Sequence, residues 1–178
     1  MVMNDVKMLI EPKLELGRAV SMTDWAGRIA FIQIAPAASD MLVSVQEVRA
    51  VARLGLQGDR YFKKVGTYSN VPGGGRQITL IELESVEALK RDFRIQLDPT
   101  QTRRNVVTRG VPLNHLVGRK FRLGDQVMLE GVRLCEPCEH LEKLSLKGVK
   151  EGLLHRGGLR ADIVSGGIVR VGDPITPE

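Results

Sequence analysis

The stretch Phe121–Leu134, FRLGDQVMLEGVRL, decides the fold class of this chain. Two short apolar-rich runs, Phe121–Leu123 and Val127–Leu129, are separated by Gly-Asp-Gln, residue types that favour a tight turn. This arrangement predicts a β-hairpin. Val132–Leu134 continues the strand pattern towards the two cysteines of the chain.

Further short strands are predicted on both sides of this hairpin, each bounded by glycine or proline. They are Arg28–Ile34, Val48–Val51, Gln77–Ile81, Asn105–Thr108, Leu159–Val164 and Ile168–Val171. Helical spacing predicts a helix over Glu84–Phe93, a helical turn over Leu113–Leu116 and short helices after Glu139. Because the strands do not alternate regularly with helices, a doubly wound parallel sheet is the weaker interpretation. We predict a β-rich α+β fold: a closed or strongly bent β-barrel with a few peripheral helices.

Composition predicts one ordinary soluble domain. The chain has 178 residues, of which 43% are hydrophobic and 26% charged. Residues 1–23 have weak periodicity and are interpreted as an N-terminal extension, so the domain is expected over residues 24–178. With no apolar run of membrane-spanning length and no signal-peptide layout, we expect no membrane association and a cytoplasmic location.

The basic residues are placed in a way that favours a small anionic ligand. The formal net charge is +5, and aromatic residues make up only 4% of the chain. Cations gather in short clusters beside glycines rather than in a tail: Arg76, Arg103–Arg104 with Arg109, and His155–Arg156. Few aromatics are available for base stacking, so a compact anion pocket is favoured over a nucleic-acid surface.

Cys138 is the strongest candidate for a functional thiol. The chain has two cysteines, Cys135 and Cys138, too few for a structural disulfide framework. Pro137 precedes Cys138 and a helix is predicted directly after it. A thiolate at a helix N-terminus is stabilised by the exposed amides and the helix dipole. For Cys135, a functional and a structural role are about equally supported.

Three chemical interpretations of this pair are open. A thioredoxin-like redox pair has the same spacing but lacks its βαβ context here. A tetrahedral zinc site would recruit His140 or His155. A single thiolate offered to a sulfur-bearing or metal-bearing ligand would use nearby cations. For that third case, Arg76 follows three glycines whose amides can approach an anion, and Arg104 with Asn105 lies at the entry to a strand. His155 is a proton donor or a surface residue, and the sequence favours the latter.

An ordered set of short motifs, from about residue 28 to the C-terminus, resembles the MOSC family, named for the C-terminal domain of molybdenum cofactor sulfurases. The matching pieces are Gly58-Asp59-Arg60, Gly75–Ile81, Arg104-Asn105-Val106, Leu116-Val117-Gly118, Phe121–Gly124, Pro137-Cys138, Gly157-Gly158-Leu159, Gly166-Gly167 and Gly172-Asp173. The resemblance implies a strand-rich, largely closed barrel. It also implies a pocket for the molybdenum cofactor (molybdopterin) or a related sulfur-bearing species.

Within this resemblance the family cysteine falls on Cys138, as a persulfide carrier or a molybdenum ligand. Arg76, Arg104 and Asn105 would hold the cofactor's phosphate. Many relatives have arginine at the position of Cys135, so this second thiol would resolve a persulfide or tune it. The chain has no room for an aminotransferase-like domain, so pyridoxal phosphate is not expected.

The function expected from the resemblance is cofactor binding or sulfur carriage. The reaction would be sulfur transfer or reduction of an N-hydroxylated substrate, with a separate sulfur donor or electron-transfer protein as partner. The alternative is a small zinc- or redox-regulated anion-binding module without catalysis.

Overall fold

The computed structural model describes residues 24–178, so the predicted extension 1–23 lies outside the described residues. The strands are β1 Gly27–Ile34, β2 Val43–Val45, β3 Glu47–Val51, β4 Gly55–Leu56, β5 Ile78–Glu82, β6 Val106–Arg109, β7 Lys120–Leu123, β8 Val127–Leu134, β9 Leu159–Ser165, β10 Gly167–Arg170 and β11 Pro174–Pro177. The helices are α1 Leu83–Phe93, α2 Glu139–Lys143 and α3 Val149–Gly152, with 3-10 turns at Pro99–Thr102 and Leu113–Leu116.

Seven strands close into a barrel in the order β7-β8-β9-β5-β6-β1-β11. The seam is β11, in which Ile175 pairs with Leu123 of β7 and with Gly27 of β1. Neighbouring strands run antiparallel except for the parallel pair β5 and β6. Strand β2 extends the sheet beyond β1, and β10-β3-β4 form a separate three-stranded sheet. The predicted β-rich barrel is confirmed.

The parallel pair explains the position of the largest helix. Parallel strands need a crossover connection, and α1 lies in the connection between β5 and β6. Its buried residues Val86 and Leu89 pack with Leu153 outside the barrel, in a core separate from the one inside. Between residues 24 and 178, no helix combines the length and the apolar character needed to cross a membrane.

The hairpin predicted from Phe121–Leu134 is present as β7 and β8, and Gly124 at its turn has a left-handed backbone, φ +58°. Strands β2, β4 and β11 were not predicted. The first two are only three and two residues long. Strand β11 begins and ends with proline, which cannot donate a ladder hydrogen bond and so argues against a strand in sequence.

Candidate functional site

The cysteine segment lies at the end of a barrel strand. Strand β8 ends at Leu134, residues 135–138 form neither a turn nor a bend, and α2 begins at Glu139 as predicted. The amide of Cys135 donates to the carbonyl of Gly158 at 2.7 Å, which anchors the segment to the residue before β9. Cys135 is buried, whereas Cys138 is exposed. Both cysteines nevertheless belong to the lining of one recess.

This recess has about 520 Å³ of open space, counting its mouth. Its walls come from distant parts of the chain: the loop after β4, strand β5, the residues before β6, the cysteine segment with α2, and β9. Four arginines line it, namely Arg60, Arg103, Arg104 and Arg160, whereas Glu136 is the single carboxylate among the lining residues. The recess therefore combines an accessible thiol with an excess of positive charge, an environment that favours anions.

Arg104 builds the wall of the recess. Its side chain is 6% exposed. Nε donates to the carbonyl of Gly157 at 2.9 Å, Nη1 to that of Thr102 at 3.1 Å and Nη2 to that of Cys135 at 2.9 Å. The expectation that Arg104 grips a phosphate stays a prediction, and the structure shows a further role for this side chain. Three of its five N–H donors are already used on backbone oxygens, so it fixes the cysteine segment and adds its charge to the recess.

Asn105 does not line the recess. Its Oδ1 accepts from the amide and hydroxyl of Thr79 at 3.2 and 2.9 Å, and its Nδ2 donates to the carbonyl of Gln33 and to Asp59 Oδ1, both at 3.2 Å. Asn105 therefore lies in a buried network behind the recess, and its role as an anion ligand stays a prediction. Its buried amide already has protein partners on both atoms, as buried polar groups require.

The same network explains the Gly-Asp-Arg motif. Asp59 is 1% exposed and accepts hydrogen bonds from the amides of Ala35 and Tyr61 at 3.1 and 3.0 Å. It also forms an ion pair with Arg60 at 3.1 Å. Asp59 therefore holds Arg60 in position at the recess and offsets part of its charge.

The structure does not bring Arg76 or His155 into the recess. Arg76 lies in a neighbouring groove, where its guanidinium donates to the carbonyls of Pro72, at 3.2 Å, and Gly73. The side chain of His155 is 81% exposed, with Nδ1 3.6 Å from a carboxylate oxygen of Glu136. His155 is thus a surface residue, the role that the sequence favoured.

Tyr68 is a recess residue that the sequence did not indicate, whereas Arg103 stood out in the sequence only as one of the clustered cations. Burial raises the pKa of Tyr68, and the adjacent Cys138 thiol, which interacts with its hydroxyl, raises it further. The ring of His140 packs edge-on against Tyr68, with the ring centroids 6.3 Å apart. Burial, followed by repulsion from Arg60, lowers the pKa of Arg103. Tyr68 lies in the long, glycine-containing loop that connects β4 to β5, and long loops within compact domains are often functional.

Two of the three interpretations of the cysteine pair lack structural support. Within residues 24–178, no group of three or more His, Cys, Asp or Glu side chains is placed to hold a metal ion, so a tetrahedral zinc site has no ligand set there. A disulfide needs Cα atoms about 4.4–6.8 Å apart. Residues 135–138 form neither a turn nor a bend, so the backbone would have to bend before Cys135 and Cys138 could come within that distance. The recess presents the third arrangement, a single accessible thiol beside cations.

Comparison with known proteins places this geometry in a family. A family model described as MOSC domain matches residues 67–176, more than half of the chain. The YuaD protein from Bacillus subtilis is similar in structure, with a TM-score of 0.71 and 18% identity over 85% of this chain and 96% of that one.

YiiM from Geobacillus stearothermophilus has a TM-score of 0.64 and 13% identity, covering 85% of this chain and 75% of its own. YiiM from Escherichia coli has a TM-score of 0.60 and 18% identity, covering 85% and 69%. At these identities the likeness is one of fold. No curated protein sequence matches the chain.

Proposed function

This chain belongs to the MOSC family, and we propose on that premise that its recess binds the sulfur- or metal-bearing end of the molybdenum cofactor at Cys138. The observation that carries the proposal is the exposed Cys138 thiol in a recess lined by four arginines. A thiolate is the soft ligand that such a group uses, and guanidinium groups suit anionic oxygens. The donor set therefore fits the cofactor's head.

The residues around the thiol have distinct tasks in this proposal. Cys138 presents its sulfur, and Arg104 holds the segment that carries it through the carbonyl of Cys135. Arg103 and Arg160 supply positive charge at the recess. Tyr68 lines the recess together with Cys138, and its hydroxyl would donate a hydrogen bond to the sulfur in the thiolate form.

When bound, the cofactor would supply oxygen-atom or sulfur-atom transfer coupled to redox change at its metal. We propose either sulfur transfer or reduction of N-hydroxylated compounds as the reaction class. The partner would be a separate sulfur-donating or electron-transfer protein. Such a partner can reach the site because Cys138 lies at the accessible side of the recess, whereas Cys135 is buried behind it.

The test is the cofactor content of the purified full-length chain. The chain is produced in cells that make the cofactor, molybdenum is measured by plasma mass spectrometry, and the pterin by fluorescence after oxidation. We expect both in the native chain, loss of at least nine-tenths (~10-fold, the effect of about 1.4 kcal/mol) in Cys138→Ala, and retention in Cys135→Ala.

Absence of both molybdenum and pterin from the native chain contradicts the proposal. So does a Cys138→Ala variant that keeps them at the native level. Circular dichroism of each variant checks that the barrel is intact.

A further inference from the structure

A second hollow, the groove, lies beside the recess and has about 830 Å³ of open space, counting its mouth. Strand β9 contributes Arg160 to the recess and Asp162 to the groove. Alternate residues of a strand point to the same face, so these two side chains emerge side by side, with Cα atoms about 7 Å apart. Tyr61 lines both hollows, and the loop after β4 contributes Tyr68 to the recess and Ser69 to the groove. A protein seated on the groove would therefore lie beside the recess.

The groove carries positive charge that its own carboxylate does not neutralise. Its lining contains three cations and one carboxylate: Arg53, Lys64, Arg76 and Asp162. Asp162 is engaged with the loop, since its Oδ1 accepts from the amide of Gly75 at 2.9 Å, and Arg76 donates to carbonyls of the same loop. Arg53 and Lys64 are exposed, and neither forms an ion pair with any residue between 24 and 178. These two cations match the carboxylates of another molecule.

Aliphatic surface accompanies this charge. Leu54 and Val71 also line the groove and are 43% and 49% exposed. A small inorganic anion would leave them uncovered, whereas protein interfaces combine an apolar centre with a polar rim. Among the groove residues between 24 and 178, Tyr61 is the single aromatic, which leaves little for successive bases of a nucleic acid to stack on. The groove therefore matches a protein segment that bears both carboxylates and an aliphatic side chain.

We propose that the groove is the docking site of a partner protein, which binds through an acidic segment that also carries an aliphatic side chain. The carboxylates of that segment pair with Arg53 and Lys64, and its aliphatic side chain covers Leu54 and Val71. In this position the partner lies beside the recess and delivers sulfur or electrons to Cys138. Delivery to Cys138 rests on the proposed function, whereas the docking itself does not.

Fluorescence anisotropy of matched peptides with the full-length chain tests the docking. The first peptide combines glutamates with leucines, the second has serine in place of leucine, and the third has lysine in place of glutamate. We expect the first peptide to bind most tightly and to weaken as the ionic strength rises, because salt screens exposed ion pairs. The serine peptide should bind more weakly, since it cannot cover the aliphatic surface, and the lysine peptide should not bind.

The variants remove the two unpaired charges and keep a residue that suits the backbone. Arg53 and Lys64 have φ values of +65° and +59°, in the left-handed region that asparagine tolerates. We expect the double variant Arg53→Asn with Lys64→Asn to bind the first peptide about ten-fold more weakly. The matched control is Arg94→Asn with Arg122→Asn, which removes two exposed cations outside both hollows. Arg94 also has a left-handed backbone, φ +60°, and this control should bind like the native chain.

Four results would overturn the inference. The native chain does not bind the first peptide, it binds the serine peptide equally well, or the double variant binds no more weakly than the control. The fourth is a single-stranded RNA oligonucleotide that binds more tightly than the first peptide and loses affinity in the same double variant. Cys138→Ala should bind the first peptide normally, so the docking and the cofactor content fail on separate measurements.

Discussion

The recess and the groove each contain an arginine that donates hydrogen bonds to backbone carbonyls, but the two arginines have different roles. Arg104 is 6% exposed and joins three backbone carbonyls that form the wall of the recess. Arg76 holds the carbonyls of its own loop, among the exposed residues Pro72 and Gly73. The wall of the recess is thus part of the folded interior, whereas the loop of the groove is a surface feature. Because Arg104 and Arg76 already donate to backbone carbonyls, the cations available to a ligand are the other basic residues of the recess and the groove.

The largest difference between the two regions should come from adding a methyl group. A Cβ on Gly157 would lie 2.5 Å from the carbonyl oxygen of Cys135 and 2.9 Å from Pro137 Cδ, so the cysteine segment would have to move. We expect Gly157→Ala to lower the free energy of unfolding by about 3 kcal/mol or more. Gly73→Ala meets only the Arg76 guanidinium, at 3.6 Å, and has a φ of +118°, so we expect roughly 1–2 kcal/mol from backbone strain.

Urea unfolding of both glycine variants measures this difference. If Gly157→Ala and Gly73→Ala lowered the free energy of unfolding equally, the wall of the recess would accommodate a Cβ as readily as the surface loop does. The unfolding slope should match the native chain in each case, which checks that the denatured states are comparable.

A smaller difference is expected between the two arginines. Arg104→Ala leaves the carbonyls of Gly157, Thr102 and Cys135 without their donor, and we expect a loss of about 2–3 kcal/mol. Arg76→Ala removes exposed hydrogen bonds and should cost less than about 1 kcal/mol. Thermal unfolding measures the difference. If Arg76→Ala were as destabilised as Arg104→Ala, the two arginines would not differ in their structural role.

The smallest effect concerns the two tyrosines, of which Tyr61 borders both hollows and Tyr68 only the recess. The pKa of Tyr68 is raised by burial first and by Cys138 second. Its neutral form is therefore favoured in the folded chain. The small stabilisation is fully present below the ordinary tyrosine pKa and is lost as the pH rises through the folded value.

An ultraviolet titration of phenolate absorbance tests this assignment. Tyr68→Phe should remove the component that ionises at higher pH, whereas Tyr61→Phe should keep it. Cys138→Ala should lower the pKa of Tyr68 without abolishing the shift, because burial is its larger cause. A titration that Cys138→Ala leaves unchanged would separate the tyrosine from the thiol.

Much of the barrel was predictable because its strands are set by local patterns. Turn residues at 124–126 define the hairpin, and the apolar spacing after Glu82 defines α1. The closing strand β11 was not predictable because Pro174 and Pro177 oppose a strand locally, and pairing on both sides overrides that preference. Strand β4 has only two residues, too few for a sequence pattern, and it forms because Gly55 and Leu56 pair with β3.

The site was predictable at Cys138 and less so around it. Proline before the thiol and a helix after it are sequence features, and both are present. The roles of Arg104 and Asn105 depend on carbonyls and side chains brought in from Gln33, Thr79, Cys135 and Gly157, which no local pattern reveals. That Arg103 and Arg160 line the same recess could not be predicted from sequence, because closure of the barrel brings them together.

The seam between β1 and β11 also sets the order of events when this chain folds. Gly27 of β1 pairs with Ile175 of β11, so the barrel cannot close until β11 has formed. Contacts between residues so far apart in sequence slow folding, because a long loop must be closed before they form. On the ribosome, β1 would remain an unpaired edge on its β11 side until the end of the chain emerges. During synthesis a chaperone or a neighbouring nascent chain can bind to that unpaired edge.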